Sequence, residues 1–490
     1  MFEELILEIT KMIEGVEGRK RSRTPDEQPR FQYAIRHILT DLWKASHSIP
    51  MSECSINRRS GYYSENPRYR DPSLTYKQVR SAFEGLQSLG LIQITKEGYF
   101  DHVRLEGSLT RYVARDELLE RLQQLEGNPA LSIKPDLDRE TVVLRNTIDS
   151  HKKAVAYDDT PKTEEYRENL KTIHKCFLKH WADLEIKDKE AAALAERINR
   201  HADKLPIDFS SRTLVRIFSN GSFKEGGRFY RGWWQNVPSE YLKYITLDMK
   251  KTCEYDFSQL NPHILYFAYN KELGSEDAYD RVFDGEHRDL VKAAFNAMLQ
   301  ANTPLTSCPN DIDPSLADIS WKELRERVIA AHKPIEHLFF SGEGNRLQFE
   351  DSCIAESVML QFAAIDAPAL QVHDSFIMHH GYGGELEEAM RRSFHERRGS
   401  DIPVKQEVIT WSVSDDSPPK SVSVDEILES DAGYSQWNAR NEAWFAQRKQ
   451  PKTTCMILGT FGPRTSVHPT WVLNAPQATT ASLRPYFAST

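Results

Sequence analysis

Two short segments, Cys253–Asn261 (CEYDFSQLN) and Ala369–His380 (ALQVHDSFIMHH), constrain this chain more than any other feature. Each sets one aspartate, Asp256 or Asp374, at the end of a β-branched or apolar run. Residues Tyr244–Leu247 (YITL) and Thr252–Phe257 (TCEYDF) flank the polar stretch Asp248–Lys251. That is the pattern of a β-hairpin, with Asp256 at the end of its second strand. Ser258–Asn270 then turns helical, with Leu260, Ile264, Leu265 and Phe267 as its apolar face. Leu370–Val372 runs into His373–Asp374 and Ser375–Met378 runs out again, a second hairpin with an acid at its tip. An acid there is costly unless a cation uses it. Two carboxylates from separate strands are the minimum set for holding two Mg²⁺ ions, which clamp the attacking and leaving oxygens of a phosphoryl displacement. The plainer alternatives are a helix N-cap for Asp256 and a β-turn for Asp374.

Between the two aspartates lies Arg288–Gln300 (RDLVKAAFNAMLQ), in which Arg288, Lys292, Phe295 and Asn296 share one helix face. Two cations four residues apart reach a triphosphate, a lysine can protonate a leaving pyrophosphate, and an aromatic ring can stack a base. The alternative is a surface helix with Phe295 in the core. Before the first hairpin, Gly226–Ser239 (GGRFYRGWWQNVPS) mixes Arg228 and Arg231 with Tyr230, Trp233 and Trp234. Arginine and aromatics in one loop-like run suit a nucleic-acid surface, with an aromatic core patch as the alternative.

A chain of 490 residues with 39% hydrophobic and 28% charged residues fits a soluble protein of two to four domains. No apolar run approaches the roughly 18 residues that cross a membrane. The first residues, MFEELILEITKMIEG, carry no signal-peptide pattern. Six scattered cysteines without a CxxC pair point to reduced thiols, a cytoplasmic setting and no zinc site. A net charge of −9 weighs against a uniformly basic sleeve but leaves room for a basic cleft.

Residues 1–29 read as an N-terminal helix and 30–130 as a winged-helix-like unit. In the latter, a helix at Arg30–Lys44 is followed by a second at Ser73–Leu89, capped by Ser73, then by LIQIT and a hairpin turning at Gly98. Tyr76, Lys77 and Arg80 would face a groove, with Arg58, Arg59, Arg68 and Arg70 nearby. Residues 138–210 read as a charged, helical, thumb-like or connecting region. Residues 211–410 carry the chemistry, with Glu385–Glu396 as a helix behind the last hairpin. Residues 411–490 read as a linker and a poorly ordered tail.

At these residues the sequence resembles the family A polymerases, which join repair-type DNA polymerases with phage-type single-subunit RNA polymerases. GGRFYRGWWQNVP resembles the family's Gly-Arg run ending in Gln-Asn-Ile-Pro. EYDFSQLNPHILY is similar to the first palm motif, RDLVKAAFN to the fingers helix, and LQVHDSFIM to the last palm motif. Arg346–Glu356 (RLQFEDSCIAE) is a fifth, weaker match. The resemblance spans about 212–408. It implies an α/β polymerase right hand, with a small antiparallel palm sheet and helical fingers and thumb, preceded by the winged-helix-like domain.

The resemblance further implies that Asp256 and Asp374 bind two Mg²⁺ ions, or Mn²⁺ in their place. Arg288 and Lys292 would hold the nucleoside triphosphate, with Lys292 as proton donor and Phe295 and Asn261 lining the nucleotide site. Arg228, Tyr230, Gln235, Gln348 and His373 would meet the primer–template, and Lys77 and Arg80 would add contacts from the front unit. Three departures bear on the product. Asn261 stands where DNA-synthesising members usually carry a glutamate, Ser375 follows His-Asp as in the RNA-synthesising branch, and Gln300 stands where a fingers tyrosine is expected. DNA synthesis is the leading expectation. RNA or primase-like synthesis is the close alternative, and a degenerate nucleic-acid-binding module is the second class. A nuclease built on Glu350, Asp351 and Glu356 is disfavoured by their helical spacing.

Overall fold

The computed structural model describes residues 1–19, 21–101, 106–148, 151–201, 204–271, 273–274, 276–407 and 433–449. It is a mixed α/β protein with two main hydrophobic cores. Among the described residues, no helix is long and apolar enough to cross a membrane.

The first core unites what the sequence divides. Leu5, Ile6, Ile9 and Ile13 of the helix Phe2–Val16 pack with Phe31, Ile35, Ile38 and Leu42 of the helix Glu27–Ser46, and with Val79, Phe83 and Leu86 of the helix Tyr76–Ser88. The N-terminal helix is therefore part of this unit rather than a separate segment. Gly85 permits the approach, since a Cβ there would overlap the Ile13 side chain. Thr75, not Ser73, precedes the third helix. The strand Ile92–Lys96 pairs with Thr110–Ala114 rather than turning back at Gly98. Among the described residues, the intervening strands Tyr99–Asp101 and Glu106–Ser108 pair with each other and with no other strand. Cys54–Ile56 completes a three-stranded sheet on the other edge of Thr110–Ala114.

The region 138–210 is not helical throughout. Val142–Ile148 and His151–Ala154 form strands, and the first pairs in parallel with Val215–Ser219, which pairs with Ser222–Tyr230. Charge density hid these strands, because their outward residues are polar. The helices Pro161–Lys179 and Asp188–Asn199 follow, separated by the strand Ala182–Leu184. The second core draws on both helices and on the sheet that carries the aspartates.

That sheet is antiparallel and six-stranded. Its central strand, Lys250–Phe257, pairs with Ile245–Leu247, with Ser375–His379 and with Val404–Glu407. Leu370–Val372 lies outside Ser375–His379, and Ala182–Leu184 closes the opposite edge. The first hairpin turns at Asp248 and Met249, both with left-handed φ, as a two-residue hairpin turn requires. The helix Gly383–Arg398 packs behind the sheet through Leu386, Ala389, Met390 and Phe394.

Part of the expected tail is ordered. The helix Ser435–Lys449 places Trp444 in the second core, stacked 6.0 Å from Trp181. Arg440 Nε donates to the buried Asp183 at 2.7 Å. The expected linker at 408–432 and the tail end at 450–490 lie outside the described residues.

Candidate active site

Strand register brings the two aspartates together. Asp256 lies opposite Ser375, and Asp374 is the residue immediately before Ser375 in the turn. His373 takes a left-handed φ of 59° to make that turn, and its carbonyl accepts from the Gln371 amide. Gln371 is in turn fixed by the short helix Trp233–Asn236. Trp234 Nε1 donates to the Gln371 carbonyl at 3.0 Å, and Gln235 Nε2 donates to the same carbonyl at 3.2 Å. Gln235 thus holds the hairpin that carries Asp374, a positioning role rather than the expected nucleic-acid contact.

Burial pushes the Asp256 carboxyl well above the usual carboxylate range. The charge of Asp374 adds to the shift, and Lys292 opposes it. Asp256 Oδ1 is buried without a hydrogen-bond partner among the described residues. Two neighbouring half-buried acids, one with a buried oxygen left without a partner, call for a cation. The donor set is all oxygen, which suits Mg²⁺, so the residues fit the ion that the sequence implies.

Glu254 joins them, although the sequence reading passed over it. It lies two residues before Asp256 on the same strand, and a period of two puts both on one face. Ser375 Oγ donates to Glu254 at 2.6 Å. Burial lifts the Glu254 carboxyl to about 6 against that hydrogen bond, with Glu407 and Asp374 adding repulsion. The native state therefore retains a proton that the unfolded chain releases earlier. The resulting stability is complete below about pH 4.5 and is lost as pH rises through about 6. Urea titrations of the metal-free chain should show wild type losing up to about 2 kcal/mol more than Glu254→Gln between pH 4.5 and 6.5. Parallel profiles would remove Glu254 from the cluster.

The helix Arg288–Gln300 has the bounds the sequence indicates. Burial holds the Lys292 ammonium below its usual range despite the attraction of Asp374 and Asp256. Arg288 is held by Asp277, with Nη2 at 2.8 Å. Beneath both cations lies Tyr279, fully buried, with its ring 5.3 Å from the Arg288 guanidinium and 5.9 Å from Lys292 Nζ. Tyr279 carries no periodic signal in the sequence. Asn261 Nδ2 donates to Asn296 Oδ1 at 2.9 Å and so links the helix Leu260–Ala268 to the cation-bearing helix.

Several expected contacts are spent inside the protein. Phe295 is completely buried against Tyr279, His332 and Phe339, so it cannot stack a base. Trp233 and Trp234 are core residues as well. Phe267 faces outward and Tyr266 takes the buried position. Arg228 donates to Asp351 at 2.7 Å in a buried pair rather than facing a duplex. Burial lifts Asp351 to about 6 although Arg228 favours its charge, and Asp374 adds repulsion. Asp351 therefore belongs to the same charge network, through Arg228. Gln348 is half-buried on the helix Gly344–Ala364.

On the front unit, Lys77 pairs with Glu27 at 2.5 Å and Arg80 with Glu84 at 2.7 Å. Arg58, Arg59 and Arg68 pair with Glu97, Glu65 and Glu140. The face is charge-balanced rather than basic. Arg145 and Arg231 differ. Among the described residues neither has an ion-pair partner, and the Nε of each is buried without a hydrogen bond. Burial lowers the Arg231 guanidinium to about 10, and the neighbouring Arg145 charge adds to the effect. Tyr230, which precedes Arg231, is 40% exposed.

No family model matches this chain, and no curated protein matches it. Among solved structures it is similar to the POL domain of Pol1 from M. smegmatis in complex with DNA primer-template and dNTP, at 14% identity and a TM-score of 0.29. The match covers 50% of this chain and 51% of that one, so the chain spans about half the length of the solved domain. An overlap of that size carries no weight for fold or function, which rest on the residues described above.

Proposed function

We propose that this chain is a template-directed nucleic-acid polymerase of the family A type, extending a primer with nucleoside triphosphates. The observation that carries the reading is the convergence of Asp256 and Asp374 beside Lys292, with an orphaned Asp256 oxygen. Asp256 and Asp374 would hold Mg²⁺, which when bound neutralises charge on the reacting phosphate. A primer 3′-hydroxyl attacks the α-phosphate and gives its proton to solvent, a new P–O bond forms, the bond between the α-phosphorus and the β-phosphate oxygen breaks, and pyrophosphate leaves. Lys292, its ammonium destabilised by burial, gives a proton to the departing pyrophosphate. Arg288, braced by Asp277, binds the triphosphate. His373, in the turn beside Asp374, would contact the primer end.

Asn261 favours a tolerant sugar site. Its amide is bonded to Asn296, and it is shorter than a glutamate that would block a 2′-hydroxyl. DNA synthesis remains the leading expectation, with RNA synthesis as the alternative. Primer extension on a short labelled primer–template with Mg²⁺, using dNTPs and NTPs separately, tests the reading against an Asp256→Ala, Asp374→Ala double variant. Extension lost in the variant supports it, and the active lane gives the sugar. Product without primer moves the reading to de novo initiation. No product in any lane, with template binding intact, leaves a binding module.

Arg145 and Arg231, without ion-pair partners among the described residues, mark where a phosphate backbone would run, with Tyr230 available to stack a base. Replacing Arg231 with alanine should weaken duplex binding and lower the slope of log K against log salt by about one unit. Fluorescence anisotropy across a salt series measures this, and an unchanged slope places the strand elsewhere.

A further inference from the structure

A second cluster lies away from the carboxylate site, where the helix Pro161–Lys179 meets the six-stranded sheet. Cys176, on the last turn of that helix, and His180, just past its end, are four residues apart and share one face. Asp366, which follows the helix Gly344–Ala364, approaches both. One donor atom from each of the three lies within 4.8 Å of the others. A tetrahedral ion with bonds of about 2.0–2.3 Å holds its ligands about 3.3–3.8 Å apart. Side-chain rotations of about 1 Å would therefore close the set.

The surroundings distinguish this trio from a chance grouping. His180 Nδ1 lies 2.6 Å from the Asp248 carboxylate, which also accepts from the Trp181 backbone N–H at 2.9 Å. The Asp248 hydrogen bond raises the His180 imidazole above its usual range against the opposing effect of burial, so the metal-free ring favours the imidazolium. With a cation bound, the same carboxylate on Nδ1–H would orient the ring, as it does for metal-bound histidines. The other ring nitrogen, Nε2, is buried and has no hydrogen-bond partner among the described residues, with Asp366 3.9 Å away. The Cys176 residue is buried, its thiol pushed up to about 12 by burial and by Asp366. Lys179 is the competing charge. Its Nζ lies 2.8 Å from Asp366, in an exposed pair that contributes little and can release.

We infer that Cys176, His180 and Asp366 form a site for a borderline-soft divalent cation, with Zn²⁺ the best match to a sulfur, nitrogen and oxygen donor set. Water would complete the tetrahedron. Binding displaces the Cys176 thiol proton, and the Nε2 proton of the imidazolium form of His180, to solvent. The scattered cysteines concealed this site, because its third ligand comes from a distant segment. Asp248 and Asp366 each stand eight residues before one of the two site aspartates, Asp256 and Asp374. The ion would therefore tie together the ends of both hairpins farthest from the carboxylates. The inference does not depend on the polymerase reading.

The test uses the full chain loaded with Zn²⁺ or Co²⁺, then dialysed. Wild type should retain about one ion per chain, show a thiolate-to-cobalt charge-transfer band, and melt higher with zinc than without. Cys176→Ser should lose the band, and Asp366→Asn, an exposed change that leaves the fold intact, should weaken retention and abolish the zinc-dependent shift. Asp256→Asn should retain all three properties, which separates this site from the carboxylate pair. No retained ion in wild type, or a band and stoichiometry unchanged in Cys176→Ser and Asp366→Asn, overturns the assignment and leaves His180 as an ion-paired structural residue.

Discussion

Asp256→Asn is expected to abolish nucleotide incorporation and, at the same time, to stabilise the metal-free chain. Incorporation should fall by at least about 10³-fold, because the amide removes charge that the reacting phosphate and its cation require. The stability gain follows from the same residue. In the absence of a cation, Asp256 is a buried acid beside Asp374, with Glu254 and Glu407 close enough to add repulsion. A neutral isostere relieves that repulsion and the desolvation of the charge. Each kcal/mol relieved should raise the melting temperature by about 1–2 °C in a chain of this length. Saturating Mg²⁺ should narrow the difference by stabilising wild type more than the variant. Differential scanning calorimetry with and without Mg²⁺, beside primer extension, reads both effects. A variant that is inactive and also less stable would mean that Asp256 is a structural cap, as its position before the helix Leu260–Ala268 allows. A variant that is fully active would remove it from the chemistry.

Phe295→Ala is expected to destabilise the chain by about 3–5 kcal/mol. The ring is wholly buried, with centroids 5.6 Å from Tyr279, 4.8 Å from His332 and 5.4 Å from Phe339. Edge-to-face contacts of this kind add to the area buried. The cavity would open directly under Tyr279, which supports Arg288 and Lys292, so residual activity should fall with the fold. Phe295→Leu keeps most of the volume. It should retain a cooperative transition and a nucleotide KM close to wild type, because the ring touches no nucleotide. Chemical denaturation and steady-state kinetics on both variants decide the matter. A Phe295→Leu enzyme with unchanged stability and a sharply raised KM would restore the base-stacking role.

The contrast between these two residues shows which features are written locally in the chain. Both hairpins, the turn at His373–Asp374 and the helix Arg288–Gln300 follow from turn chemistry and periodicity over fewer than about fifteen residues, where local preferences decide. Asp256, Asp374, Arg288 and Lys292 were legible for that reason. Glu254 is legible too, because alternation along its strand puts it on the face that carries Asp256. Nothing local reveals that Phe295, Trp233 and Trp234 are core, since an aromatic beside arginine reads the same whether it faces a base or another ring.

The tertiary structure alone determines the remaining assignments, because they depend on residues far apart in sequence. Arg228 finds Asp351, Tyr279 slides beneath the cations, and Trp444 returns to stack on Trp181. Ala182–Leu184, too short to announce itself, becomes the edge of the central sheet. Cys176, His180 and Asp366 meet only when two helices end at the same corner. The sequence by itself determined where the carboxylates stand on their strands, since β-pairing and turns are short-range. Which partners neutralise each charge, and which rings are left for a ligand, required the packed chain, because burial and ion pairing are properties of neighbours in space.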